Sequence, residues 1–179
     1  LLGLAYPLVV TGLAQTLFPE KANGQLSVRN GRAIGSRIIG QVFSSPGYFR
    51  SRPSAAGAGY DAANSGGTNL GPTNKKLVDR VTAAVEQFRK DNPDYTGPIP
   101  ADLVKGSASG LDSHLSPDSA LAQAPRIAKV RGAPAAQINE MITQFTEGPD
   151  LGILGEPRVN VLRLNLALDQ RFGRTQAAR

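Results

Sequence analysis

The pattern of apolar and polar positions changes abruptly after the first eighteen residues. Leu1 to Phe18 carries no charged side chain, and its clearly polar groups are Thr11, Gln15, Thr16 and the Tyr6 hydroxyl. Read as a helix rising about 1.5 Å per residue, the run extends roughly 27 Å, close to the ~30 Å core of a bilayer. Pro7 disrupts a helix less inside a membrane, where neighbouring groups re-satisfy the freed backbone. A signal peptide and a buried helix of a soluble domain are the alternatives; for the first, Gly12-Leu13-Ala14 is a poor cleavage site and apolar residues continue past it. The pattern predicts a retained transmembrane anchor helix over residues 1–19, with Leu4, Pro7, Leu8, Gly12 and Leu13 as its lipid- and helix-facing residues. Because position 1 is Leu and not Met, the anchor is expected to start upstream.

Beyond Phe18 the periodicity shortens. Gln25 to Val28 alternates, Asn30-Gly31 suits a two-residue hairpin turn, and Arg32-Ala33-Ile34 returns. Ile38 to Phe43 reads as a further strand. Ala55 to Thr73 shows no periodicity and is rich in Gly, Ala, Ser and Asn; loops of that length in a compact domain are usually functional or mobile. Asn74 to Arg89 is the clearest helix, with Leu77, Val81, Ala84, Val85 and Phe88 on one face and a polar cap at its start. Asp102 to Val104 reads as a short strand. Ser116-Pro117 opens a second helix interrupted by Pro125, and Pro134 opens a third with Ile138, Met141, Ile142 and Phe145 as its stripe. Val159 to Asp169 begins as a strand and ends as a helix. The fold class expected is α+β: the anchor, then one mixed α/β soluble domain over 20–172 with a small antiparallel sheet and about four helices, then a disordered tail over 173–179.

Composition then removes whole classes of chemistry. There is no cysteine and one histidine, His114, so disulfides, thiolate catalysis and multi-His metal centres are excluded. The net charge of +6 is spread along the chain and not gathered in a patch, which argues against nucleic acid as a partner. Ser107, Ser109, Asp112 and His114 resemble a hydrolase set, but the nucleophile elbow lacks its glycines at positions 105 and 107. A capped turn is the plainer reading. Gly57-Ala58-Gly59-Tyr60-Asp61-Ala62 has dinucleotide-like glycines without a preceding strand, and no phosphate-binding lysine loop occurs. Ser65, Gly66, Gly67, Thr68 and Asn69 form the one loop whose backbone N–H groups suit an anion, with ATP as the ligand to consider; the alternative is a loop that satisfies itself. No firmly bound cofactor is expected.

A set of short motifs then appears in a fixed order: Tyr6-Pro7-Leu8, Ala22-Asn23-Gly24, Ile39-Gly40-Gln41, Tyr48-Phe49, Arg52-Pro53-Ser54, Ser65 to Leu70, Ser107 to Asp112, Pro125 to Lys129 and Val159 to Asp169. From Leu1 to about Asp169, this ordered set resembles the KdpC family of the potassium-transporting P-type ATPase. The resemblance implies a bacterial inner-membrane, single-pass subunit of a high-affinity, ATP-driven potassium uptake complex. Its partners would be a channel-like potassium subunit, a P-type ATPase subunit, a very small accessory subunit and membrane lipid. It implies no catalytic site in this chain, a role in assembly, and a chaperone-like effect that raises the ATPase subunit's affinity for ATP. It also implies a periplasmic soluble domain, placed here over the outer mouth of the channel-like subunit. A nucleotide-binding regulator using Ser65 to Asn69 is the alternative.

Overall fold

A computed structural model describes residues 1–29 and 31–175. The chain divides into two compact units, Leu1–Ile39 and Gly40–Arg179.

The N-terminal unit holds helix α1 (Ala5–Leu17), the short helix α2 (Pro19–Ala22) and an antiparallel hairpin of β1 (Leu26–Arg29) and β2 (Arg32–Ser36). The hairpin falls where Asn30-Gly31 predicts it, with Gly31 at φ +73°; Asn30 lies outside the described residues. The transmembrane expectation is overturned: among the described residues no helix is long and apolar enough to cross a membrane. Helix α1 has 13 residues, about 20 Å at 1.5 Å per residue. It is shortened at both ends. Leu1 to Leu4 form turns, with the Tyr6 amide donating to the Leu1 carbonyl (3.1 Å). At the other end Pro19 disfavours helical backbone at Phe18, which sits at φ −138°. Pro7 falls in the first turn, where a missing N–H is tolerated. Leu4 precedes the helix, while Pro7, Leu8, Gly12 and Leu13 lie along it, so these residues line a short exposed apolar helix and not a span.

The C-terminal unit carries α3 (Lys75–Asp91), β3 (His114–Leu115), α4 (Pro117–Arg131), α5 (Ala135–Gln144), β4 (Thr146–Glu147), β5 (Arg158–Asn160) and α6 (Val161–Phe172). The three strands form an antiparallel sheet in the order β3-β5-β4. Its core gathers Phe49, Leu115, Ala124, Ile127, Ile138, Met141, Ile142, Val159, Leu164 and Leu168, all buried. Helix starts follow the sequence cues: the Asn74 side chain accepts from the Lys76 amide (2.9 Å), and Ser116 Oγ accepts from the Ser119 amide (3.2 Å). Helix α4 runs unbroken past Pro125 and ends at Gly132 in the left-handed conformation (φ +61°). Two predicted strands are absent: residues 38–43 are irregular, and 101–103 form a single 3-10 turn. Of the tail predicted to be disordered, residues 176–179 lie outside the described residues.

Candidate functional site

Two sets of side chains organise the long irregular segments of the C-terminal unit. The first grips residues 46–50. Asn165 on α6 is buried, and its side-chain amide pairs with Phe49 on both sides: the Phe49 N–H donates to Oδ1 and Nδ2 donates to the Phe49 carbonyl, each at 2.9 Å. Gln123 on α4 treats Arg50 alike, accepting from its N–H (2.9 Å) and donating to its carbonyl (3.2 Å). Arg126 donates to the carbonyls of Pro46 and Tyr48 and to Asn92 Oδ1. Burial and the neighbouring Arg50 charge lower its pKa to about 10, which leaves it cationic at neutral pH. Arg131 donates to the Gly47 carbonyl (2.7 Å) and to Asp169 (3.1 Å), whose carboxylate also accepts from the Tyr48 hydroxyl (2.8 Å). A strand would satisfy residues 46–50 through a backbone ladder; here side chains of α4 and α6 take that role.

The second set joins Ser54, the loop at 65–67 and the loop at 107–112. Ser54 Oγ donates to the Gly110 carbonyl (2.6 Å) and accepts from the Tyr60 amide (2.8 Å). The Gly66 amide and the Ser65 hydroxyl both donate to the Ser109 carbonyl, at 2.8 and 2.9 Å. Gly110 lies at φ +68°, and a Cβ there would sit 2.7 Å from the Ala56 nitrogen and the Gly66 oxygen, so only glycine fits. A Cβ on Gly67 would meet the Ala108 carbonyl at 2.9 Å. Of the predicted anion loop, Gly66 therefore spends its amide on Ser109, while Thr68 and Asn69 stay exposed, Asn69 at φ +50°.

Two cavities open beside these sets. One of about 330 Å³ is lined by Thr68 together with Arg80 of α3 and Lys105. The other, about 280 Å³, has Phe43, Phe88 and Leu103 among its apolar walls and Arg50 and Arg52 among its polar ones. Arg50 pairs with Asp91, and Arg52 Nη1 lies 2.9 Å from Asp112 Oδ2.

Three residues of the hydrolase-like set, Ser109, Asp112 and His114, bind the chain itself. Asp112 Oδ1 accepts from the His114 amide (3.0 Å), and Ser109 Oγ accepts from the Leu111 amide (3.1 Å). His114 Nδ1 lies 3.1 Å from Ser113 Oγ and its Nε2 3.3 Å from Asn160 Nδ2. Burial lowers the His114 pKa below 6.5, against the opposing pull of Asp112 and Glu147.

The family model for "K+-transporting ATPase, c chain" matches residues 1–170. The chain belongs to the KdpC family. Curated relatives named "Potassium-transporting ATPase KdpC subunit" include one from Koribacter versatilis, 59% identical over 94% of this chain and 86% of that protein. One from Myxococcus xanthus is 58% identical over 97% and 82%, and one from Rhodospirillum rubrum 56% identical over 96% and 89%.

Several of the motifs that carry the KdpC resemblance meet in space. Tyr48-Phe49 is held by the motifs around Arg126 and Asn165, and Arg52-Pro53-Ser54 by the motif at 107–112, which also binds the 65–70 motif through the Ser109 carbonyl. Sequence reasoning missed Gln123 as a backbone clamp, and it missed Arg80 and Lys105 beside Thr68. Nothing in spacing marks a lone Gln on a helix, or two cations 25 positions apart, as neighbours of a given loop.

Proposed function

We propose that this KdpC-family chain is a non-catalytic accessory subunit of a potassium-transporting ATPase complex. It acts by contact: it stabilises assembly with the potassium-channel-like and ATPase subunits and raises the ATPase subunit's affinity for ATP. The observation that carries this reading is the family match from residue 1 to residue 170. The geometry supports it, because Ser54, Asp112, Gln123, Arg126 and Asn165 are engaged with the chain's own backbone and tie its irregular segments together. The test is an ATP titration of the complex purified with and without this chain. Loss of the chain is expected to raise the KM for ATP several-fold.

A second reading has one observation in its favour. The cavity beside Thr68 carries two cations, Arg80 and Lys105, suited to an anionic ligand such as a nucleotide phosphate.

A further inference from the structure

The cavity of about 280 Å³ between α3 and residues 41–53 holds more hydrogen-bond donors than the chain itself uses. Arg50 and Arg52 both line it. Their Nη atoms are engaged, Arg50 with Asp91 and Arg52 with Asp112 and the Gly106 carbonyl. The Nε of each is buried and, among the described residues, has no hydrogen-bond partner. An unpaired buried donor on a charged group costs free energy, so two beside one cavity are not a neutral result of folding. The charges are unequal as well. Behind the wall, Arg126 is buried and donates to uncharged acceptors: Asn92 and Gln123, which line the cavity, and the Pro46 and Tyr48 carbonyls. Among the described residues, three guanidinium groups thus meet two carboxylates, Asp91 and Asp112. The backbone adds a third sign. Tyr60, which also lines the cavity, sits at φ +56°, where a bulky side chain is strained; such strain gathers at ligand clamps.

We propose that this cavity binds a small organic monocarboxylate with an apolar body. The carboxylate accepts from the Nε–H groups of Arg50 and Arg52 and balances the surplus positive charge, as charge-assisted bonds in a partly buried site do best. The apolar body rests on Phe43, Phe88 and Leu103. At about 280 Å³ the cavity falls just below the range of drug-sized ligand pockets, roughly 300–1,000 Å³. That size and a single surplus charge fit an aromatic or branched acid, not a nucleoside triphosphate or a long acyl chain. The site is distinct from the cavity beside Thr68, and it does not depend on the accessory-subunit reading.

The probe is benzoate, titrated into the full chain carrying isotopically labelled arginine and followed by magnetic resonance. The Nε–H signals of Arg50 and Arg52 are expected to shift along a saturating curve while that of Arg158 stays in place. Two variants then separate the parts of the site. Arg50→Lys with Arg52→Lys keeps both cations and removes both Nε donors, and the benzoate dissociation constant is expected to rise roughly tenfold or more. Ala84→Leu fills the cavity from α3 and is expected to abolish binding. Signals of the parent that do not move overturn the proposal, because water then satisfies the two donors. So does an equal shift with acetate, which marks a general anion site with no use for an apolar body. Displacement of benzoate by ATP, or an unchanged dissociation constant in either folded variant, overturns it too. The first arm uses the parent chain and decides the matter even if a variant does not fold.

Discussion

At the scale of single residues, the fold depends on polar side chains that stand in for a missing strand. Asn165 alone satisfies both backbone groups of Phe49, whose ring is fully buried. The change Asn165→Leu keeps the branched shape of the side chain and leaves an N–H and a carbonyl buried without partners. Each such group costs roughly 1–3 kcal/mol, so a destabilisation of about 3 kcal/mol is expected, or roughly 6–12 °C in melting temperature. A change within about 1 °C would show that water or neighbouring backbone replaces the amide. His114 makes a pH-dependent contribution. Its folded pKa lies below 6.5, so on acidification the unfolded chain takes up the proton first. The stability contributed by the neutral ring is complete above pH 6.5 and is lost as pH falls through the folded value. The variant His114→Asn is expected to flatten the melting temperature against pH below about 6.5, and equal slopes in parent and variant would contradict this. None of these roles is legible in the sequence. A buried Asn and a solvated Asn look alike until the helix that carries it is placed.

At the scale of elements, legibility follows local rules. The hairpin, the caps at Asn74 and Ser116, and the strand running into α6 are readable because short-range turn and cap chemistry decides them. The apolar run at the start reads as too long a helix, since continuous hydrophobicity does not reveal where Pro19 and the first turns end it. Residues 38–43 look like a strand by composition, yet Gly40 donates to Leu111 and no ladder forms around it among the described residues. The 65–69 loop is legible as a feature, while its contact with Ser109 is not. Its nucleotide reading can be tested at α3 and the neighbouring loop. Arg80→Gln with Lys105→Gln removes both cations without touching the strained glycine contacts, and on that reading ATP binding by the full chain weakens at least tenfold. Equal binding by parent and double variant would exclude the cavity as the site.

At the scale of the whole molecule, the C-terminal unit concentrates its motif residues on internal bracing. That use suits a subunit whose effect is exerted on its neighbours. Family membership is legible in the order of the motifs, because several of them mark places where two irregular segments must meet. The most direct test is steady-state ATP hydrolysis by the purified complex, assembled with the chain and without it, titrated across ATP concentrations. The account predicts a several-fold higher KM for ATP when the chain is missing, reversed on adding it back. An intact complex with the same KM in both preparations would contradict it.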